Sequence, residues 1–124
     1  MHKLPPAQEI FDLVVEHLFT QGRPAYDGIN GCMYRTPGGL RCAVGVLIPD
    51  NFYDKAFENT KASTLIQKLF DSDLADWRKH TKLLDALQLA HDACLREPTD
   101  AFNTTDLRER LLTVAKAFSL EYRR

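Results

Sequence analysis

Apolar residues recur at the three- and four-residue spacing of an amphipathic helix in four segments of the chain. The first segment begins at Pro5 and Pro6, which suit an opening helical turn, and it ends at Gly22 and Pro24. The second segment covers residues 61–70. Each pattern predicts a helix with one buried stripe.

The third segment gives the strongest helical signal. It runs from His80 to Arg96 and ends before Pro98. The fourth segment starts at Thr104 or Thr105, whose hydroxyl would cap the helix. The apolar positions along the chain predict a core that includes Leu13, Val14, Leu47, Leu84, Leu87, Leu111 and Val114.

Between the first two helices, the stretch CMYRTPGGLRC (residues 32–42) carries the signal of a β-hairpin. Pro37 and Gly38 stand at the centre of the turn, with a short strand on each side. This register pairs Arg35 with Leu40. Such a short hairpin needs packing against helices to be stable.

The apolar run 43–48 follows the hairpin directly and fits either a strand or one to two buried helical turns. Gly45 and the abrupt Pro-Asp ending of the run favour a short helix. The sequence therefore predicts a mostly helical α+β fold in which four or five helices pack with one short β-hairpin. Its 124 residues fit a single domain spanning 1–124.

The composition is that of an ordinary globular protein, and it narrows the classes of function. Hydrophobic residues make up 44% and charged residues 27%, and the net charge of −1 lacks the basic excess of a nucleic-acid binder. No apolar run approaches the roughly 18 residues of a membrane span. The first ten residues lack a signal-peptide core, which favours the cytoplasm, where three cysteines would stay reduced.

The cysteines raise the question of a disulfide or a zinc site. Side chains alternate between the faces of a strand, so the predicted register puts Cys32 and Cys42 on opposite faces, where they cannot bond. With His91 and Cys94 they would form a zinc set, but the tight C-x2-C spacing of zinc knuckles is missing. We expect no metal and no other cofactor; the alternative is a zinc site formed by Cys32, Cys42, His91 and Cys94.

A cysteine nucleophile is a further alternative. Cys42 lies where the hairpin meets the predicted short helix, and a helix N-terminus lowers the pKa of a thiol. His91 would then act as the base, with Asp92 or Asn103 orienting it. Against this, the apolar neighbours of Cys42 predict a sealed thiol, and His91 lies on the apolar stripe of its helix.

His91 and Asp92 therefore also have a structural interpretation. A buried imidazole needs hydrogen-bond partners, which the hairpin would supply. Asp92 would pair with an arginine of the hairpin and hold the hairpin against the long helix. The exposed hairpin tip would form a contact surface for a partner, and its expected binding residues are Tyr34, Arg35, Arg41 and Asp50.

The segment CMYRTPGGLRCAVGVLIPDNFY resembles a segment of short hypothetical proteins of tailed phages and prophages. Those proteins combine a Cys-x-Tyr-Arg hairpin with Cys-Ala-x-Gly-x-Leu-Ile-Pro-Asp. Many also carry Leu-Gln-x-x-His-Asp, which Leu87, Gln88, His91 and Asp92 match here. The end of the first helix, LFTQGRPA, is similar too, although FENTKAS replaces the acidic-Gly pair that follows the aromatic residue in relatives.

The resemblance implies a small accessory protein of the phage type. The residues themselves show no strong catalytic spacing, which favours an interaction protein over an enzyme. Such proteins act by binding a host or phage protein, for instance in host takeover or counter-defence, and this expectation is an analogy of context. The expected partner is thus a protein, with neither nucleic acid nor membrane involved. The alternative function is a hydrolase or transferase that uses Cys42 and His91.

Overall fold

The computed structural model describes residues 6–23, 25–27, 31–48, 50, 53–58, 80–93 and 103–123. In these residues the chain forms three α-helices, which are α1 (Ala7–Gln21), α2 (Thr81–Ala93) and α3 (Thr104–Ala117). A short 3-10 helix covers Lys55–Phe57. The predicted helix at 61–70 and Cys94 both lie outside the described residues.

The predicted α+β fold with four or five helices and a β-hairpin is wrong for the described part of the chain. Three α-helices are present there, and strand pairing is minimal. Strands β1 (Tyr26–Asp27) and β2 (Gly31–Cys32) pair antiparallel over two residues each. In the stretch 32–42 a single bridge between Arg35 and Arg41 replaces the hairpin. The described fold is thus helical.

The turn at Pro37–Gly39 explains why the pairing differs from the predicted register. The N–H of Gly39 donates to the carbonyl of Thr36 (3.0 Å), and the N–H of Thr36 donates to the carbonyl of Leu40 (2.9 Å). Gly39 adopts φ 93°, a left-handed conformation that suits glycine. The turn is therefore one residue longer than predicted, and the pairing shifts by one residue, from Arg35 with Leu40 to Arg35 with Arg41.

The run 43–48 forms successive turns instead of the short helix that its pattern favours. The N–H of Val46 donates to the carbonyl of Cys42 and the N–H of Leu47 to that of Val44, without a continuing ladder. Gly45 packs directly on the backbone of Tyr34, where a Cβ atom would overlap the Tyr34 carbonyl. This close approach folds the run back over residue 34 and buries it.

Helix α1 ends as the sequence predicts. Gly22 adopts φ 73°, and its N–H donates to the carbonyl of Leu18, which closes the last turn. The buried stripe is centred differently from the prediction, because Phe11 and Val15 join it and Leu13 is 44% exposed. The prediction of Leu13 as a core residue is therefore wrong.

The three helices and the run 43–48 share one core. Helix α2 packs most closely against α3, and both contact α1. Leu47, which was predicted to be a core residue, is only partly buried. Five other predicted core residues are confirmed as buried, namely Val14, Leu84, Leu87, Leu111 and Val114. Among the described helices, none has the length and apolar character needed to cross a bilayer.

The start of α3 differs from the prediction by one residue. Asn103 is the N-cap, and its side-chain oxygen accepts from the N–H of Asp106 at 3.0 Å. Thr104 and Thr105 are the first helical residues. Asn103 is thus a helix cap in the structure, since its side chain satisfies a free N–H of the first turn.

Candidate functional site

His91 is fully buried, and its two ring nitrogens have different partners. Its Nε2 accepts from the N–H of Ala25 at 3.0 Å. Because a backbone N–H can only donate, Nε2 carries no proton, and the ring proton of the neutral imidazole lies on Nδ1. Nδ1 then donates to Oδ1 of Asp92 at 2.8 Å. The predicted burial of His91 is confirmed, but its partners are Ala25 and Asp92 rather than hairpin groups.

Gln88 extends this arrangement toward the run 43–48. Its Oε1 accepts from the N–H of Val44 at 3.1 Å, and its Nε2 donates to Oδ1 of Asp92 at 2.9 Å. We call Gln88, His91 and Asp92 the α2 polar cluster. Through it, helix α2 holds the backbone of two separate loops, at residues 25 and 44. Asp92 orients Gln88 and His91, instead of pairing with Arg35 or Arg41 as predicted.

Cys42 is buried beside this cluster. The N–H of Gly45 donates to its Sγ at 3.2 Å, and burial raises the pKa of the thiol to about 12. A thiol needs to ionise near neutral pH to act as a nucleophile. Cys42 also lacks the helix N-terminus that the sequence predicted, since the run 43–48 is not a helix.

The alternative catalytic set of Cys42, His91 and Asp92 meets a further obstacle. A general base needs a free nitrogen within reach of the nucleophile. Nε2 of His91 already accepts from the N–H of Ala25, and Nδ1 is protonated and bonded to Asp92. These contacts match a neutral structural histidine better than a base.

The alternative zinc set cannot be assembled from the described residues. Cys94 lies outside them, and Cys32 is described only as part of β2. Among the described side chains, no group of three or more histidine, cysteine, aspartate or glutamate residues could hold a metal ion. The expectation that no metal binds therefore stays a prediction, and the zinc set of Cys32, Cys42, His91 and Cys94 stays its alternative.

Arg35 lies at the centre of a second polar cluster. Its side chain is only 12% exposed, and Nη1 lies 2.9 Å from Oδ1 of Asp50. Nε donates to the carbonyl of Gly45 at 3.3 Å, and Nη2 donates to the carbonyl of Ile48. The guanidinium also stacks on Tyr53, at 4.8 Å from the ring centre. Arg35 thus binds the run 43–48 from the outside.

Glu58 fixes the other side of the same cluster. Its carboxylate accepts from the N–H groups of Tyr34 (2.8 Å) and Arg35 (3.2 Å), and from the hydroxyl of Tyr53 (2.5 Å). Burial, followed by the nearby Glu58, raises the pKa of Tyr53 above its ordinary value, and burial likewise raises that of Tyr34. The sequence analysis did not identify Glu58, because no local pattern links residue 58 to residues 34 and 35.

Arg41 and Asp50 carry charge at the surface. Nη2 of Arg41 lies 3.3 Å from Oδ1 of Asp50, and their side chains are 38% and 77% exposed. The backbone of Arg41 is held firmly, because its N–H and carbonyl both bond to the side-chain amide of Gln21 at 2.9 Å. Nε2 of His17 donates to the same carbonyl at 2.8 Å, and burial lowers the pKa of His17.

These residues and the exposed turn beside them form what we call the Arg–Asp surface, defined as Pro37–Gly39, Arg41 and Asp50. Of the four predicted binding residues, Arg41 and Asp50 present charge to solvent. Tyr34 is buried, and Arg35 lies beneath Asp50 and positions its carboxylate. The structure therefore brings the four predicted residues together in two layers. Tyr34 and Arg35 form the lower, less exposed layer, and Arg41 and Asp50 form the exposed one.

No protein-family model matches the chain, and the comparisons with curated proteins and with solved structures also gave no match. The resemblance to phage proteins thus stays a prediction.

Proposed function

We propose that the protein acts in the cytoplasm by binding a protein partner through the Arg–Asp surface, as a small accessory protein of the phage type. The observation that carries this proposal is the exposed carboxylate of Asp50, which two arginines hold from below and from the side. Charged groups that are fixed before binding lose little freedom on association, and they select partners with a matching charge pattern.

The backbone under this surface adds to the argument. The amide of Gln21 holds both polar backbone groups of Arg41, and Arg35 holds the carbonyls of Gly45 and Ile48. The turn Pro37–Gly39 stands exposed beside them. A firmly anchored base with an exposed, charged top is suited to recognition, because binding then requires little rearrangement.

The chemical groups of the neighbouring core also favour binding over catalysis. Burial keeps the Cys42 thiol protonated at neutral pH, and both nitrogens of His91 have structural partners. Cys42 and His91, which are both fully buried, therefore stabilise the fold. A role in host takeover or counter-defence would follow from the identity of the partner.

A capture experiment with a bacterial host lysate tests the proposal. The tagged chain, its Arg41→Glu variant and a Lys116→Glu control are compared by quantitative mass spectrometry of the bound proteins. Lys116 is exposed near the end of α3, so the control makes the same charge change away from the Arg–Asp surface.

We expect Arg41→Glu to lower recovery of the specific partner by roughly fivefold or more, because it reverses a charge beside Asp50. Lys116→Glu should recover the partner as the wild type does. Equal recovery by all three proteins, or an equal loss in both variants, would contradict the proposal.

A further inference from the structure

After α3, Ser119 adopts φ 56°, and Glu121, Tyr122 and Arg123 then contact α1. We call residues 120–123 the strap. The side-chain amide of Gln8 holds both backbone groups of one strap residue: Nε2 donates to the carbonyl of Glu121, and Oε1 accepts from its N–H, each at 2.9 Å. Gln8 thus binds the strap through the backbone of Glu121, so this contact does not depend on the side chain of residue 121.

The next two strap residues are bound by their side chains. The ring of Tyr122 meets Phe11 edge to face, with ring centres 6.3 Å apart. Nη1 of Arg123 lies 3.0 Å from Oδ2 of Asp12. Three side chains of α1 thus contact three successive strap residues. Gln8 binds the backbone of residue 121, Phe11 the ring of residue 122 and Asp12 the guanidinium of residue 123.

The polar contacts of the strap are ones that water can replace, while Leu120 and Tyr122 pack partly buried against the core. Its hydrogen bonds to Gln8 and its ion pair with Asp12 are all solvent-exposed, and the side chain of Arg123 is 59% exposed. Exposed bonds and exposed ion pairs contribute little, so segments held in this way open far more easily than the core. Local opening of the strap breaks these weak polar contacts together with the packing of Leu120 and Tyr122, and it exposes the face of α1 beneath the strap.

The strap also leaves space beside it. A surface cavity of about 320 Å³ is lined by Phe11, Val15, Asp12, Glu16 and Arg123. Its base is apolar, and its rim carries Asp12, Glu16 and the strap's own Arg123. Helix α1 as a whole carries Glu9, Asp12 and Glu16 but no lysine or arginine. A segment that fills this cavity would gain apolar contact, and a basic side chain would meet the charge of the rim.

We propose that this face of α1 is a peptide-binding groove, formed by Gln8, Phe11, Asp12, Val15 and Glu16. Its ligand is an extended segment of a partner protein in which a basic residue follows an aromatic residue, and the strap occupies the groove until such a segment displaces it. The groove is separate from the Arg–Asp surface, so this proposal stands or falls independently of the proposed function.

Peptide titration of the full chain tests the groove. The probe is a fluorescently labelled peptide, Ser-Leu-Glu-Tyr-Arg, which copies residues 119–123. It is titrated into the wild type and into a Tyr122→Ala/Arg123→Ala variant, whose strap has lost both side-chain contacts. We expect the variant to bind the peptide about tenfold more tightly than the wild type, because its groove is more often open.

Further substitutions in the weakened-strap variant locate the binding. Gln8→Ala and Asp12→Ala should each lower the affinity severalfold, while Glu109→Ala, on the exposed face of α3, should leave it unchanged. A peptide in which alanine replaces tyrosine and glutamate replaces arginine should bind at least about tenfold more weakly. Glu121→Pro is a second way to release the strap, since it removes the N–H that donates to Gln8.

Absence of binding up to about 1 mM peptide in both strap variants, with circular dichroism showing a folded chain, would overturn the proposal. Equal affinity with the intact and the weakened strap, or affinity indifferent to Gln8→Ala and Asp12→Ala, would also overturn it. A wild-type dimer that the peptide dissociates would assign the groove to the strap of a second copy, and would overturn the assignment to a partner protein.

Discussion

Replacing His91 by alanine should destabilise the fold strongly, because the imidazole satisfies a buried backbone group. The N–H of Ala25 donates to Nε2 of His91, and both residues are fully buried. Without the ring, this N–H has lost its acceptor in a site that water does not reach. Asp92 also loses the hydrogen bond that Nδ1 of His91 donates to it.

The magnitude follows from these contacts. A buried polar group that loses its partner costs about 1–3 kcal/mol, and the missing ring leaves a cavity that adds about 1 kcal/mol or more. The free energy of unfolding should therefore fall by about 3 kcal/mol. That is a large part of the 5–15 kcal/mol or so that stabilises a typical domain.

His17→Ala is the matched control for this experiment. His17 donates one hydrogen bond to the carbonyl of Arg41, and that carbonyl keeps Nε2 of Gln21 as a donor. The control should cost only about 1 kcal/mol. Urea unfolding followed by circular dichroism measures both variants, with comparable m-values as the condition for comparison. If His91→Ala costs no more than His17→Ala, the structural role of His91 is refuted.

Three further predictions concern the loops and the titrating groups. Gly45→Ala should cost roughly 1–3 kcal/mol in urea unfolding because its Cβ would overlap the backbone of Tyr34. Gly38→Ala, whose Cβ would make only an ordinary contact with the Thr36 hydroxyl at 3.8 Å, should stay within about 0.5 kcal/mol of the wild type. Cys42 should resist alkylation in the folded protein and react after unfolding, because burial raises its pKa to about 12; peptide mapping that finds rapid native labelling of Cys42 would contradict this. Burial lowers the pKa of His17, so the unfolded chain takes up the proton first as the pH falls below about 6.5, and the free energy of unfolding should decrease between about pH 7 and about pH 5. His17→Gln should show a smaller decrease over the same range.

The helices were predictable because their signals are local. The spacing of apolar residues in α1, α2 and α3 follows the helical period, and Gly22 stops α1 by a conformation that glycine adopts easily. The same spacing placed His91 on a buried stripe. Leu13 shows the limit of this reasoning, because the centre of a stripe depends on which neighbours α1 packs against.

The stretch 32–50 was harder to predict because distant residues decide its conformation. Gln21 and His17 of α1 hold Arg41, while Gln88 of α2 holds Val44, at separations of twenty residues or more. The sequence signal of a hairpin depends only on the turn residues and their neighbours in sequence, so it carries no information about these distant contacts. The competing contact of Gly45 with Tyr34 ends the strand pairing after one bridge.

The candidate binding residues were predictable as a group but not by role. Arg35, Arg41 and Asp50 do lie together, as their closeness in sequence favours. Their division into a buried support and an exposed pair depends on Tyr53 and Glu58, which surround Arg35. The sequence offers no periodic pattern from which that division could be inferred.

The affinity of the purified, captured partner for two single variants tests the central claim most directly. Calorimetric titration compares the wild type with Asp50→Asn, which removes the exposed charge, and with Cys42→Ala, which removes the buried thiol. We predict that Asp50→Asn weakens binding by about tenfold and that Cys42→Ala leaves it unchanged, provided that circular dichroism shows both variants folded. Unchanged binding by Asp50→Asn together with loss of binding by Cys42→Ala would contradict the account.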